Sequence, residues 1–386
     1  MSSTCRVPQL RFGEFSGEWE EKKLRDVTTY VDYRGRAPVK TEKGHFLVTA
    51  KNIKKGFIDY KCSKEYVAEN DYLNVMSKGL PKVGDILFTT EAPMGNVAQV
   101  DDKDIALAQR VIKFRSKEML YNLYLLHYML SPIFQKIIST KSIGTTVQGI
   151  SGKELHKIKL SFPSKQEQEK IASFLSSVDT KIEQLTSTTK LLQEYKKGVM
   201  QKIFSQEIRF RDDDGSEYAE WVEKKLGDVS SITTGNSNRE DSSLDGEYTF
   251  FDRSEDIRTS GIFLFDGEAV IVAGEGQQFI PKYFIGKFDL HQRTYAIMNF
   301  NQVNGKFIYY LIYTSQNYFL SQAVGSTVKS LRLPMFTKMK INVPCLLEQT
   351  KIANFLSSID SKIEQSQKQL SLTKEFKKAL LQQMFV

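Results

Sequence analysis

The sequence predicts an α+β protein in which a mixed α/β block followed by a long helix is used twice. Three observations predict it. Residues 167–204, EQEKIASFLSSVDTKIEQLTSTTKLLQEYKKGVMQKIF, return as residues 348–385, EQTKIANFLSSIDSKIEQSQKQLSLTKEFKKALLQQMF, without a gap at an offset of 181. A repeat of that size fixes an architecture before any local signal does. Both copies carry apolar residues at heptad spacing, which is a helical seam. Ahead of each copy, short apolar runs alternate with Gly, Asn and Asp, as strands and turns require.

The helices come first because their signal is strongest. In the first copy Ile171, Val178, Leu185, Leu192 and Val199 recur every seven residues, with Leu175, Ile182 and Ile203 four residues on. In the second the seam reads Ile352, Leu356, Ile359, Ile363, Leu370, Leu380 and Met384. A helix of this length reaches ~57 Å at ~1.5 Å per residue. Its single apolar stripe needs a partner, and the other copy supplies one. Leu185 and Leu192 correspond by repeat to Ser366 and Thr373, and Thr189 corresponds to Leu370. The polar interruptions therefore differ between the two seams, which suits two unlike helices packing together.

The duplication extends into the blocks. WEEKKLRDV at Trp19 returns as WVEKKLGDV at Trp221, Gly84-Asp-Ile-Leu-Phe as Gly267-Glu-Ala-Val-Ile, and Gln109-Arg110 as Gln292-Arg293. Gly144-Thr-Thr-Val returns as Gly325-Ser-Thr-Val, and Phe162-Pro163 as Val343-Pro344. Strands are predicted over 46–50, 86–90 and 108–114, with counterparts at 248–251, 269–272 and 294–298. One helix is predicted in each block, over 120–138 and 306–323, and Pro132 breaks or kinks the first. Alternating runs at 157–162 and 338–343 read as strands that feed a proline and then the long helix. Residues 205–220 read as a polar linker, and residues 1–17 as the same linker type left as a tail. The boundaries are 1–163 for the first block, 164–205 for its helix, 206–345 for the second block and 346–386 for its helix.

The chain of 386 residues carries a formal net charge of +8. That charge is uneven: 1–163 holds +8 and 206–345 holds −4. A polyanion footprint is expected to be broad on the first block and local on the second. No apolar run approaches the ~18–20 residues of a membrane span. The first residues have no apolar core of a signal peptide, and the cysteines Cys5, Cys62 and Cys345 are odd in number and far apart. Both fit a reducing, cytoplasmic setting.

Catalytic patterns are missing from the sequence. There is no Pro-Pro, no GxxxxGK[ST], and Gly274-Glu-Gly276 reads as a turn and not as a dinucleotide fingerprint. The histidines His45, His127, His156 and His291 lack metal-ligand spacing. Asp252, Glu255 and Asp256 form an acidic cluster without a match in the first block, and read as a solvated loop.

Polar and cationic loops are present instead. The first block offers Tyr33, Arg34, Arg36, Lys51, Asn52, Lys54, Lys55, Gln109 and Arg110. The second offers Asn236, Asn238, Arg239, Arg253, Arg258, Gln277, Gln278, Gln292 and Arg293. Arg, Asn and Gln are the side chains that read guanine and adenine edges with two hydrogen bonds. Lys, Ser and Thr hold phosphates and set register. The matched glycine loops add Thr145 and Thr146 in one copy, and Ser326, Thr327 and Lys329 in the other.

Taken together, the Trp…Lys-Leu-x-Asp-Val openings, the Gly-Asp-Ile-Leu-Phe strand, the Gly-Thr-Thr-Val loops and the paired Glu-Gln-x-Lys-Ile-Ala-x-Phe-Leu-Ser-Ser-x-Asp-x-Lys-Ile-Glu helices resemble the specificity subunit of type I restriction-modification systems. The likeness spans essentially the whole chain. It implies two mixed α/β target-recognition domains separated by two long antiparallel coiled-coil helices, related as a pseudo-two-fold repeat. Each domain would read half of a split, asymmetric site in double-stranded DNA. The subunit would not be an enzyme. It would bind no cofactor and would dock two methyltransferase subunits and, through them, restriction subunits; S-adenosylmethionine, ATP and Mg²⁺ would belong to those partners. A non-catalytic coiled-coil scaffold that binds other proteins is the alternative. The loops between shared strands have drifted freely while the helices keep about half their residues, and a symmetric scaffold would more naturally keep both faces alike.

Overall fold

The computed structural model describes residues 7–35, 37–144, 148–254 and 256–386. The chain divides into two compact units, one of Met1–Thr186 with Lys368–Val386, the other of Ser187–Gln367. Both boundaries fall inside the long helices, Lys165–Phe204 and Leu346–Gln383, so each unit takes half of each helix.

The first unit is built on a four-stranded antiparallel sheet. Its order is Thr28–Asp32, Val111–Ser116, Ile86–Thr89, Val97–Gln99. Successive side chains of a strand face opposite ways. Ile86 and Phe88 join one core with Ile112, Phe114 and the helices Asn122–Leu130 and Pro132–Lys141. Leu87, Ala98 and Val111 join a second core under the small sheet of His45–Val48, Tyr66–Val67 and Ala106–Leu107. This central sheet is buried on both faces, which is why residues 86–90 read as a continuous apolar run.

The predicted helix over 120–138 is two helices. Ser131 ends the first and caps the second, its hydroxyl accepting from the Phe134 amide at 3.3 Å, and Pro132 stands at the first helical position, where no donor is lost. Likewise 306–323 splits into Gly305–Thr314 and Gln316–Gln322. The strand predicted over 108–114 starts at Val111, because residues 108–110 form a turn.

The second unit has a six-stranded sheet, ordered Ser231–Thr234, Thr294–Met298, Phe265–Ala273, Lys282–Leu290, Tyr248–Phe251, Arg258–Ser260. Val270, Val272 and Ile297 face the core shared with Phe307 and the long helices, while Ala269, Ile271 and Met298 face a smaller core. This corrects the sequence alignment by one residue. Ile86 pairs with Phe114, and Val270, not Ala269, holds the equivalent place opposite Ile297. An extra residue after Gly267 shifts the register, and a one-residue slip exchanges the faces of a strand.

The long helices run antiparallel within each unit. In the first unit Lys377 pairs with Asp179. In the second, Lys196 Nζ lies 2.5 Å from Asp360, which is the same pair carried across the repeat. Thr189 and Ser366 share a buried hydroxyl hydrogen bond of 2.7 Å. One pair of polar interruptions therefore meets, which the repeat does not show, whereas the Thr373 hydroxyl donates to the Gln369 carbonyl of its own helix. In an antiparallel pair the residue facing Ser366 is Thr189, not the repeat-equivalent Leu185. Of the predicted seam, Ile171, Leu175, Val178, Leu185, Ile352, Leu356 and Ile359 are buried, whereas Ile182, Leu192, Val199, Ile363 and Leu370 are only partly covered.

The segments ahead of each block are not loose. Arg11 grips Glu167 with two hydrogen bonds of 2.8 Å, and Phe12 packs edge-on against Phe174. Arg209 reaches Glu348 at 3.0 Å and Phe210 packs edge-on against Phe355. An Arg-Phe dipeptide thus clamps the first turns of each long helix. The reading of 1–17 as a tail is corrected over its described part, residues 7–17.

Candidate nucleic-acid interface

The two Gln-Arg dipeptides occupy the same position in their units. The Val111 amide donates to the Ala108 carbonyl at 3.2 Å and the Thr294 amide to the His291 carbonyl at 2.9 Å. Each bond closes a tight turn with Gln and Arg at its centre, directly before a buried strand. The backbone of each turn is also anchored. Thr90 donates to the Arg110 carbonyl at 3.1 Å, and Gly274 to the Arg293 carbonyl at 2.8 Å.

The residue after each anchor is a glutamate. Glu91 is bridged to Gly149, and Glu275 to Ser330, at the edge of the glycine loops. Glu275 and Gly276 form a short strand with Lys329–Ser330, where the sequence reading placed only a turn. Their carboxylates meet the arginines. Glu91 Oε1 is 2.9 Å from Arg110 Nε, and both oxygens of Glu275 lie 3.0 Å from Arg293 Nη1. Sequence reasoning missed both glutamates. The offset that aligns the Gln-Arg pairs sets Glu91 against Gly274, and a one-residue gap in the preceding strand would have revealed the match.

In the second unit a cleft of about 470 Å³ is lined by Asn238, Arg239, Glu240, Asp252, Arg253, His291, Gln292 and Arg293. Five of the predicted residues are gathered there. Gln292 donates its amide to Asn238 Oδ1, and Arg253 lies 3.5 Å from Glu275. Asp252 is buried; burial alone raises its pKa, but the Ser254 hydroxyl and amide, with Arg239, hold it below the usual carboxylate range. Burial lowers the pKa of His291, opposed by Asp252, and its Nδ1 accepts the Arg293 amide at 3.0 Å. An adjoining cleft of about 430 Å³ adds Gln277 and Gln278. Gln277 donates to the Thr327 carbonyl at 3.3 Å, which ties the Gly-Ser-Thr-Val loop to the same face and leaves Ser326 and Thr327 exposed.

Three residues of this block fall elsewhere. Arg258 is half-buried and donates to Ser242 at 2.9 Å. Lys329 is half-buried and donates to the Leu320 carbonyl at 3.2 Å, at a helix end. Asn236 is exposed but lines neither cleft. The acidic cluster does not form a metal site among the described residues, and Glu255 lies outside them.

The first unit gathers less. Tyr33 is buried and its hydroxyl donates to the Gly79 carbonyl, so it supports a cavity of about 400 Å³ that Gln109 also lines. Arg34 is held by Asp32 at 2.9 Å and lies near enough to Glu91 to feel its charge. Lys51 and Lys55 are exposed, and Lys54 is half-buried with Nζ 3.6 Å from Cys62 Sγ. Asn52 is a correction. It is fully buried, its Oδ1 accepts from Thr49 and its Nδ2 donates to the Asp59 and Ser63 carbonyls at 2.9 Å, so its side chain braces a loop and does not read a base. Arg36, Thr145 and Thr146 lie outside the described residues.

The type I restriction modification DNA specificity domain matches residues 16–193 and again 218–374. The specificity subunit of the type I restriction enzyme EcoDI of Escherichia coli is 30% identical over 166 residues, 42% of this chain and 37% of that protein's length. The MjaVIII specificity subunit of Methanocaldococcus jannaschii is 22% identical over 402 residues, 94% of this chain and 91% of that protein. A crystal structure of the S subunit of a type I restriction-modification system from M. genitalium shares the fold, with a TM-score of 0.67 and 17% identity over 98% of this chain and 99% of that one. Among the described residues no helix is long and apolar enough to cross a membrane. The chain belongs to the type I restriction-modification DNA specificity family.

Proposed function

We propose that this chain is the non-catalytic, sequence-reading subunit of a type I restriction-modification enzyme, and that each unit reads one half of a bipartite, asymmetric site in double-stranded DNA. The observation that carries this reading is the Gln-Arg turn, placed identically in both units, among side chains suited to base edges. The surroundings of the two turns differ, which fits two different half-sites.

Partner subunits supply the chemistry in this proposal. They bind S-adenosylmethionine, ATP and Mg²⁺, and the assembly works in the cytoplasm. The long helices favour two copies of one methyltransferase, with restriction subunits joining through them. Leu191 and Tyr195 are exposed on one helix, and Leu372 and Phe376 are exposed on the other. These pairs are equivalent by the offset of 181, so the same apolar surface is presented twice. The test is the methylated motif in cells that express the chain with a methyltransferase subunit. One split, asymmetric motif that appears only with this chain is expected. Methylation that is independent of the chain, or its absence with every partner tried, sinks the proposal.

A further inference from the structure

We propose that Glu91 and Glu275 are positioning residues that hold Arg110 and Arg293 to read a guanine, one in each half-site. The inference rests on the DNA-reading function proposed above and names how that reading is done.

Among the described residues, the geometry leaves each guanidinium with one two-donor edge. Arg110 meets Glu91 through Nε, so its Nη1 and Nη2 remain. Arg293 meets Glu275 through Nη1, so Nε and Nη2 remain. Two parallel donors are what the O6 and N7 of guanine accept in the major groove. A long, flexible arginine loses entropy when it is fixed, and a carboxylate that fixes it beforehand lowers that cost on binding.

The carboxylate also decides against a phosphate role. A glutamate within 3 Å of the guanidinium repels a phosphate, whereas a base edge is neutral overall. A stabilising role does not explain the pairs either. Arg110 and Arg293 side chains are 50% and 59% exposed, and exposed ion pairs contribute little to stability. Yet the arrangement occurs twice, down to the backbone bonds that anchor it, in units whose other loops differ. In both, a second arginine lies near the same carboxylate: Arg34 near Glu91, and Arg253 at 3.5 Å from Glu275.

The experiment selects duplexes from a pool with two randomised windows, using the purified chain alone and with a methyltransferase subunit. Arg293→Ala is expected to lose its preference for guanine at one position of one half-site by roughly 5- to 150-fold. Glu275→Gln should lose part of that preference at the same position and leave the other half-site unchanged. Arg110→Ala and Glu91→Gln should do the same in the other half. The salt dependence of binding should stay the same for the glutamate variants, since every cation that meets a phosphate is still in place. Uniform weakening with an intact motif, or no guanine at the affected positions, overturns the proposal. If the wild-type chain enriches no motif under either condition, it is the DNA-reading function that fails, a different result from variants that keep the wild-type motif.

Discussion

Asn52 and Gln292 are the same kind of residue in a sequence, and the fold gives them opposite settings. Asn52 has its amide consumed by four hydrogen bonds inside a loop, while Gln292 stands at the tip of a turn beside Asn238. Residue type alone cannot separate them, because an amide serves a buried loop as well as it serves a base edge. The repeat singles out a position where residue type does not: Gln109 and Arg110 recur as Gln292 and Arg293, and Asn52 has no such match. Lys51 and Lys55, exposed on the basic block, are the clearest phosphate candidates. Changing Lys51, Lys54 and Lys55 to Gln should weaken binding to all sequences alike. The salt slope should flatten by ~0.9 for each phosphate that is no longer neutralised. Unchanged slopes in a salt titration would remove these lysines from the interface.

The long helices were legible as elements because heptad spacing survives over many turns. Their pairing was legible only in part, since a repeat says which residues correspond and not which ones touch. The buried Thr189–Ser366 bond makes a clean test. Changing either residue alone to Leu removes the shared hydrogen bond and should cost about 0.5–1.5 kcal/mol. Changing both should be close to neutral or stabilising, and thermal unfolding of the four proteins closes the cycle. A second element carries a pH signature. His127, on the helix Asn122–Leu130, is buried with Nε2 at 3.2 Å from Ser176, and its Nδ1 has no hydrogen-bond partner among the described residues. Burial pushes its pKa down to about 3, so the folded protein keeps it neutral while the unfolded chain protonates it near 6.5. The unfolded state then binds more protons between those values. Stability is therefore full above about pH 6.5 and is lost as the pH falls toward 3, by about 2 kcal/mol at pH 5 from this group. The unfolding midpoint of His127→Gln should fall less steeply between pH 7 and 5 than that of the wild type.

At the scale of the molecule, the duplication was the most legible property, and its exceptions were the least. The Arg-Phe clamps escaped notice because Arg11 and Arg209 are not spaced by 181; the segments that carry them differ in length. Their bonds to Glu167 and Glu348 reveal them as equivalent. The unit boundaries at Thr186 and Gln367 are spaced by the repeat, and both lie in uninterrupted helix. Four residues inserted near 186–189 and again near 367–370 add about one turn, or ~6 Å, to each helix. We expect the half-site sequences to stay the same and the non-specific spacer between them to lengthen by about one or two base pairs, read from the methylated motif. An unchanged spacer would show that helix length does not set it.

The Thr189–Ser366 bond also bears on what each half of the chain avoids. In the antiparallel register, Ser366 is the counterpart of Leu185, so two copies of the first half alone would set every Thr189 against a Leu185. The hydroxyl-to-hydroxyl bond across the seam would then be lost. Joining to the unlike half removes that mismatch, because it brings a serine to the threonine. The hydroxyl pair thus suits the joining of two unlike halves better than the pairing of two copies of the first.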